Sequence, residues 1–462
     1  MVKEQDVLGV TGGIKKRIKD QLRAMRSFAL LAPAILLGRP VRPRNLRQRL
    51  AALPSRGLPV DEAVIIYWND HQVPWIVAKT DRDCAVALGV IHAHLRLVQM
   101  EVLRRVALGR TAEMLGPVAI DVDRLLRILG LSQAVPGILA MLPETTRHWL
   151  DGFVDGLNHA VAGMNELPAE FDLLALKPTP WAASDVIAVG RAVSADVNWL
   201  VWLRLWYLHQ EPNWTRLWEE ALAHASGPTR ELADQAPLNL LQTLLGAAIG
   251  GSNAWAVAAK ASATGGSLLA CDPHLPITLP NLWLLAGYRC PSFHITGLML
   301  PGLPFVAIGR NPWLAWGGTA AHAASSDLFD LSALAHEPLE TRTEIIQVRG
   351  GKSVATEIRT SRYGPVISDA VDMGGSYALR WIGHDPSDEM SAMLTINRAR
   401  SFDEFRSAAE GFAVPGQNFI VAEASGKIAK PIAIRLRGDN QDERAASIWM
   451  RMRRGRTDGG RA

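Results

Sequence analysis

A chain of 462 residues with 48% apolar and 20% charged residues has ordinary globular composition, is long enough for one large domain or two moderate ones, and is not disordered by default. Its three cysteines, Cys84, Cys271 and Cys290, are an odd number without metal-ligand spacing, which supports neither a disulfide framework nor a zinc site. The net charge of +4 is polarised: residues 1–57 carry 13 Lys/Arg against 3 Asp/Glu and residues 451–462 carry 5 against 1, so the stretch between stands at −10. No aromatic-interleaved basic motif accompanies these ends, which argues against a nucleic-acid partner.

Residues 1–57 read as a basic N-terminal arm. Inside it an apolar run from Phe28 to Gly38 follows Lys15, Lys16, Arg17, Lys19, Arg23 and Arg26, and it is too short to span a bilayer. A secretory signal with a long charged region and a peripheral segment on anionic lipid are both open readings. The compartment therefore stays open between periplasmic or exported and cytoplasmic, and membrane contact by the arm is kept as an expectation.

From Ala63 to Ala78 two β-branched and aromatic runs, AVIIYW and VPWIVA, flank the turn-forming Asn69-Asp70-His71 and predict a hairpin. Apolar residues at helical spacing from Asp81 to about Gly109, and again around 145–164, 185–209, 213–225 and 230–246, predict a mainly helical segment over 58–251. Arg191, Asp196 and Arg204 interrupt the 185–209 stretch, so it reads as a buried helix and not a membrane span. After Gly250-Gly251 the texture changes to short runs bounded by Gly, Pro and Asn, among them NAWAVAA, SLLACD, LWLLAGYR and FHITGLML. These predict a strand-rich segment over 252–440, followed by a basic tail at 441–462. A helical segment followed by a strand-rich one predicts an α+β layered fold.

Familiar hydrolase signatures are absent: there is no G-x-S-x-G elbow, H-E-x-x-H, Walker loop or G-x-G-x-x-G. His92 and His94 are spaced by two, which puts them on different faces of the predicted helix and argues against a metal pair.

What remains is an ordered set within 70 residues: Gly251-Ser-Asn-Ala-Trp255, Cys271-Asp-Pro-His-Leu275, Ile308-Gly-Arg-Asn311 and Leu314-Ala-Trp-Gly-Gly-Thr-Ala320. With the upstream segments ALGVIHAHLRLVQMEVLRRVALGRTAEMLG and LPAEFDLLALKPTPWAASDVIAVGR, this set resembles the penicillin acylase family over about residues 60–437. Singly each motif is weak, since a Gly-Ser in a loop is usually a turn; the order and spacing carry the resemblance.

The resemblance implies a four-layer αββα N-terminal-nucleophile hydrolase fold and a precursor that cleaves itself between Gly251 and Ser252, with a spacer near 230–251 as an added expectation. The fragments would stay together, and the new α-amine of Ser252 would accept its hydroxyl proton for attack on a small-molecule amide. The backbone N–H of Ala320, 68 residues after Ser252, and the side-chain amide of Asn418 in GQNFIVAEASGKIA would stabilise the oxyanion.

His274, 22 residues after Ser252, would orient or tune the amine, with a turn-capping histidine after Asp272-Pro273 as the plain alternative. By the resemblance Arg435 would correspond to the arginine that supports the asparagine, with Arg437 competing for that match and a surface arginine as the plain alternative. Leu275 and Ile308 would line an apolar acyl pocket, or be plain core residues.

Two departures bear on this reading. Relatives often hold a structural calcium, but here Leu200 and Ala324 stand where carboxylates are expected and only Asp327 is retained, so no metal or other cofactor is expected. Only 211 residues follow Gly251 where the family's second segment is normally much longer. The chain is therefore expected to be truncated in its C-terminal part, and a homologue that stays an inactive, unprocessed precursor or binding remnant is the alternative. A conventional serine hydrolase with a His-Asp pair would act without cleavage, and the missing elbow motif counts against it.

Overall fold

Thr80 opens helix α1 (Asp81–Ala107): its hydroxyl accepts from the Asp83 N–H at 3.0 Å, with Asp81 and Asp83 in the first turn and Arg104 and Arg105 in the last, the charge order that a helix dipole favours. The computed structural model describes residues 21–32, 45–195, 213, 216, 252–275, 278–321, 325–334, 338–371, 373 and 375–436. The predicted helix at 230–246, nearly all of that at 213–225, the later part of 185–209, Gly251, Leu200, Ala324, Arg437 and the 441–462 tail lie outside the described residues.

By length and composition α1 could cross a membrane, but most of its apolar stretch is buried inside the protein. It crosses α2 (Glu144–Ala162) at two glycines. A Cβ at Gly89 would stand 2.0 Å from the Phe153 carbonyl oxygen and one at Gly156 would stand 1.9 Å from that of Val86, so the two backbones are in direct contact. Helix α3 (Ala183–Val193) packs against both.

The predicted hairpin at 63–78 is present as β1 (Ile65–Trp68) and β2 (Pro74–Val77), paired Ile65 to Val77. It does not stand apart with the helices. β2 pairs in parallel with β5 (Leu284–Arg289) and opens a nine-stranded sheet that continues through β6 (His294–Met299), β7 (Ile308–Arg310), β8 (Leu314–Ala320) and β14 (Gln417–Glu423). The short strands β15 (Ile428–Ala429) and β16 (Ile432–Ala433) both pair with β14. The predicted segments 58–251 and 252–440 thus share one sheet, and one hydrophobic core runs from Ile76 and Leu88 through Tyr288 and Trp316 to Phe419.

Helices cover one face of this sheet. Trp149 of α2 donates to the Pro304 carbonyl at 2.9 Å and stacks near Tyr288 and Phe293, while Trp316 of β8 and Phe419 of β14 meet Phe405. Phe405 belongs to α5 (Phe402–Ala409), which follows α4 (Glu389–Arg398); the strand-rich reading of 252–440 left out both helices. A two-stranded hairpin, β3 (Ser252–Val257) with β4 (Leu268–Pro273), packs on the other face against β8 and β14. The strands β9 (Ser326–Asp330), β10 (Glu340–Ile346), β11 (Val354–Ser361), β12 (Gly364–Pro365) and β13 (Tyr377–Trp381) form two small sheets around Phe329, Tyr363, Val366 and Ala378. The architecture is α+β, with helix, sheet and hairpin layers among the described residues.

Candidate active site

Ser252 is the first residue of β3, and its side-chain direction follows from strand alternation. Asn253 and Trp255 are exposed, whereas Ser252, Ala254 and Ala256 are half-buried on the opposite face. That face is turned to the large sheet: Cys271, the β4 partner of Ala254, lies over Gly317 of β8, where a Cβ would stand 2.6 Å from the Cys271 Cβ, and its thiol donates to the Gly318 carbonyl at 3.4 Å. Gly317 is the one residue type that lets the hairpin approach so closely at this point.

The contacts along the hairpin fix its register on the sheet. Ser267 donates from its hydroxyl to the Glu423 carbonyl at 2.7 Å, and Glu423 pairs with Leu314 at the start of β8. Four residues later Cys271 is at Gly317 and Gly318. With a rise of about 3.3 Å per residue on both strands, Pro273 and its partner Ser252 come level with Thr319, Ala320 and Asn418.

Asn418 pairs with Thr319 across β8 and β14, and both share the face that Gly317 turns to the hairpin. Its amide nitrogen donates to the Ala320 carbonyl at 3.2 Å and approaches the Thr319 hydroxyl at 3.4 Å. Thr319 was not singled out from the sequence, although it stands within the LAWGGTA motif, and strand alternation alone would have put it on this face. The Ala321 N–H bonds the Gly416 carbonyl at 2.8 Å, so by the alternation of an antiparallel ladder the Ala320 N–H points away from β14. On that side β7 pairs with β8 no further along than Trp316 among the described residues.

His274 follows Pro273 and turns to the outer face. Its Nε2 lies 3.1 Å from the Asn253 amide nitrogen and 3.2 Å from an Asp272 carboxylate oxygen. One ring nitrogen accepts from Asn253 in one tautomer or donates to Asp272 in the other. The imidazole is therefore held by the outward residues of β3 and β4, on the side away from the Ser252 side chain.

Leu275 is half-buried next to it. Ile308 pairs with Leu298, and because the neighbouring Gly309–Trp316 pair belongs to the helix side, Ile308 faces the hairpin side of the sheet. Arg435 is exposed, two residues beyond the β16 strand that pairs Ile432 with Asn418.

The turn that delivers Asn418 is anchored from below. Glu389 Oε1 accepts from the Ala413 and Val414 N–H groups at 3.1 and 3.2 Å, and its Oε2 is 3.3 Å from the buried Arg191 of α3. Arg191 also donates to the Ser387 hydroxyl at 2.7 Å and the Ser387 carbonyl at 3.0 Å. Sequence reasoning missed this pair because its members are about two hundred residues apart and neither lies in a catalytic motif.

Among the described residues no three His, Cys, Asp or Glu side chains converge as metal ligands. Asp327 lies in β9 opposite Arg380, and its carboxylate accepts the Leu328 N–H at 2.8 Å.

A profile of the penicillin amidase family matches residues 63–436 of this chain. The chain belongs to that family. It is similar to the penicillin acylase 2 proenzyme of Pseudomonas sp. (strain SE83), 32% identical over 425 residues that cover 84% of this chain and 55% of the relative. It is also similar to acyl-homoserine lactone acylase QuiP of Pseudomonas aeruginosa, 27% identical over 428 residues that cover 80% of this chain and 49% of the relative. A solved thermostable penicillin G acylase from Alcaligenes faecalis is 24% identical, covering 41% of this chain and 36% of its own, with a TM-score of 0.36. The chain spans about half the length of the curated relatives it matches. The penicillin amidase match takes in Ser252, His274, Leu275, Ile308, Ala320, Asn418 and Arg435 and leaves the basic arm outside.

Proposed function

We propose that this penicillin amidase family member is an amidohydrolase that cleaves a linear carbon–nitrogen amide bond through an acyl-enzyme on Ser252, after autoproteolysis between Gly251 and Ser252. One observation carries the reading: Ser252 heads a strand, faces the large sheet and is level with Asn418 and Ala320.

Cleavage would free the Ser252 α-amine, whose ordinary pKa of about 7.7–8.0 leaves a sizeable neutral fraction near neutral pH. The amine takes the hydroxyl proton as the oxygen attacks the amide carbon. The oxyanion is met by the Ala320 N–H and the Asn418 amide, the protonated amine returns its proton to the leaving nitrogen, and water then repeats the sequence to release the acid. No cofactor or cation enters these steps.

His274 would tune the amine, Arg435 would support Asn418, and Leu275 with Ile308 would line an apolar acyl site. The substrate is a small amide with an apolar acyl group. The pairing of β2 with β5 and the large core shared by both segments support fragments that stay joined after cleavage. The proposed fold of the whole family unit is the four-layer αββα arrangement.

A second reading, an inactive homologue that stays an unprocessed precursor or a binding remnant, is favoured by one observation: the Asn418 amide is spent on Ala320 and Thr319 and His274 is turned to Asp272. The test is to express wild type beside Ser252→Ala and to measure intact masses, with N-terminal sequencing of any second fragment and an amide-substrate screen. Two fragments, one starting at Ser252 and absent in the variant, uphold the enzyme. A folded, unprocessed wild type leaves the second reading.

A further inference from the structure

We propose that Cys84 and Cys290 form a disulfide that ties the helical segment to the strand segment. Both are buried, in a site held together by contacts independent of the thiols. The Ala78 N–H donates to the Arg289 carbonyl at 3.0 Å just before α1 begins, and Asp81 in its first turn accepts the Ser292 N–H at 3.0 Å and the Ser292 hydroxyl. Cys84 lies three residues after Asp81 and so on the same helical face.

Cys290 begins the turn that Ser292 belongs to, closed by its own N–H on the Phe293 carbonyl at 2.8 Å. Both cysteines are free thiols, and the Cys84 thiol has the Cys290 thiol as a neighbour. The third cysteine, Cys271, is elsewhere, over Gly317 and Gly318.

Burial holds the Cys84 thiol well above its ordinary pKa, with Cys290, Asp81 and Asp83 adding to the shift. Cys84 is 0% exposed and Cys290 is 9% exposed, so Cys290 is the entry point. Its thiolate attacks a small-molecule disulfide, releasing one thiol. Cys84 then gives up its proton and displaces the second thiol from the mixed disulfide, so two protein thiols are oxidised and the external disulfide is reduced to two thiols.

Formation of this bond does not depend on the proposed cleavage. That it would join two separate chains does, because Cys84 precedes Ser252 and Cys290 follows it.

The test treats full-length wild type and Ser252→Ala with glutathione disulfide, blocks remaining thiols with N-ethylmaleimide in denaturant, and maps peptides by mass. The expected result in both proteins is one cross-linked species of the Cys84 and Cys290 peptides, reversed by dithiothreitol to full alkylation of both. On a non-reducing gel, cleaved wild type would then run as one species that splits into two on reduction. The cross-link in a chain that never splits would uphold the disulfide and sink the cleavage reading. Cys84 and Cys290 both alkylated after oxidation, a glutathione adduct stalled on Cys290, or a cross-link to Cys271 would each overturn the disulfide, whether or not the chain is cleaved.

Discussion

Asn418 stands opposite Thr319 across β8 and β14, and its side-chain amide donates to the Ala320 carbonyl at 3.2 Å. An amide held this way is aimed at the strand end that Ser252 comes level with, and a substrate oxyanion would compete for its protons. Under the proposed mechanism Asn418→Ala removes a donor used chiefly in the transition state. The expected outcome is a loss of about 10²–10³ in kcat with KM little changed, as for removal of one oxyanion donor. Steady-state kinetics on cleaved protein checks it, and a variant whose loss falls wholly in KM would remove Asn418 from the oxyanion site.

The crossing of α1 and α2 gives a stability prediction with a built-in contrast. A Cβ at Gly156 would stand 1.9 Å from the Val86 carbonyl oxygen, a backbone atom that cannot swing aside, so Gly156→Ala must part the helices. A loss of about 3 kcal/mol or more is expected, at or above the usual overpacking range. In α3 the Gly190 position meets only the Leu303 Cδ2 at 3.6 Å, an ordinary contact. Gly190→Ala should be neutral or stabilise by up to about 1 kcal/mol through helix propensity. Thermal or urea unfolding of both variants reads the difference, and equal losses would refute this account of the packing.

The hairpin at 63–78, the helix from Asp81 and the strand run that begins at Asn253 were legible because each rests on local pattern: alternation, helical spacing and turn residues. The separation of His92 from His94 was legible for the same reason. In the structure His92 accepts from the Gly302 N–H at 3.1 Å, while His94 meets Trp68 edge-on. Long-range pairing was not legible. Nothing local shows that β2 joins β5, that Gly89 and Gly156 are a contact point, or that Cys84 faces Cys290. The buried charges of α1 were hidden as well. Glu101 bonds Arg104 at 2.6 Å and lies 3.2 Å from Arg105, and Arg104 stacks over Trp181, a network that helical periodicity alone reads as interrupted core. For the proposed site, the order of motifs named the candidate residues, but only strand register gave the face on which each side chain lies.

Glu389 links the buried Arg191 to the turn that feeds Asn418 into β14. Glu389→Ala would leave Arg191, 2% exposed, without its counter-ion and two backbone N–H groups without an acceptor. A loss of about 3–5 kcal/mol is expected, the range for breaking one side of a buried ion pair. Glu389→Gln keeps an acceptor for the turn and should lose less. If chemical unfolding gave the two variants the same stability, the turn contacts would carry no energy of their own.

The acid limb of stability should be steep because two histidines are buried in neutral form. His92 uses Nδ1 as the acceptor for Gly302, and burial, helped by Arg96, pushes its pKa down to about 3. His384 bonds the Leu129 carbonyl through Nε2 at 2.8 Å and is lowered to about 4, chiefly by burial. In the unfolded chain both titrate near about 6.5. Above that pH neither state is protonated and neither histidine contributes a slope.

Between about 6.5 and 4 the unfolded chain takes up protons that the folded protein refuses, so stability falls with falling pH by up to about 1.4 kcal/mol per unit for each histidine. Glu101 and Asp123, both raised chiefly by burial, act in the opposite sense at lower pH because their folded forms hold protons more readily than the unfolded chain. His92→Asn keeps an oxygen to accept the Gly302 N–H and cannot titrate. Its stability should therefore fall less steeply between pH 6.5 and 4, by about one proton's worth of slope, in urea unfolding across that range. A variant with the wild-type slope would mean that His92 is protonated in the folded protein or that its pKa is not lowered by burial.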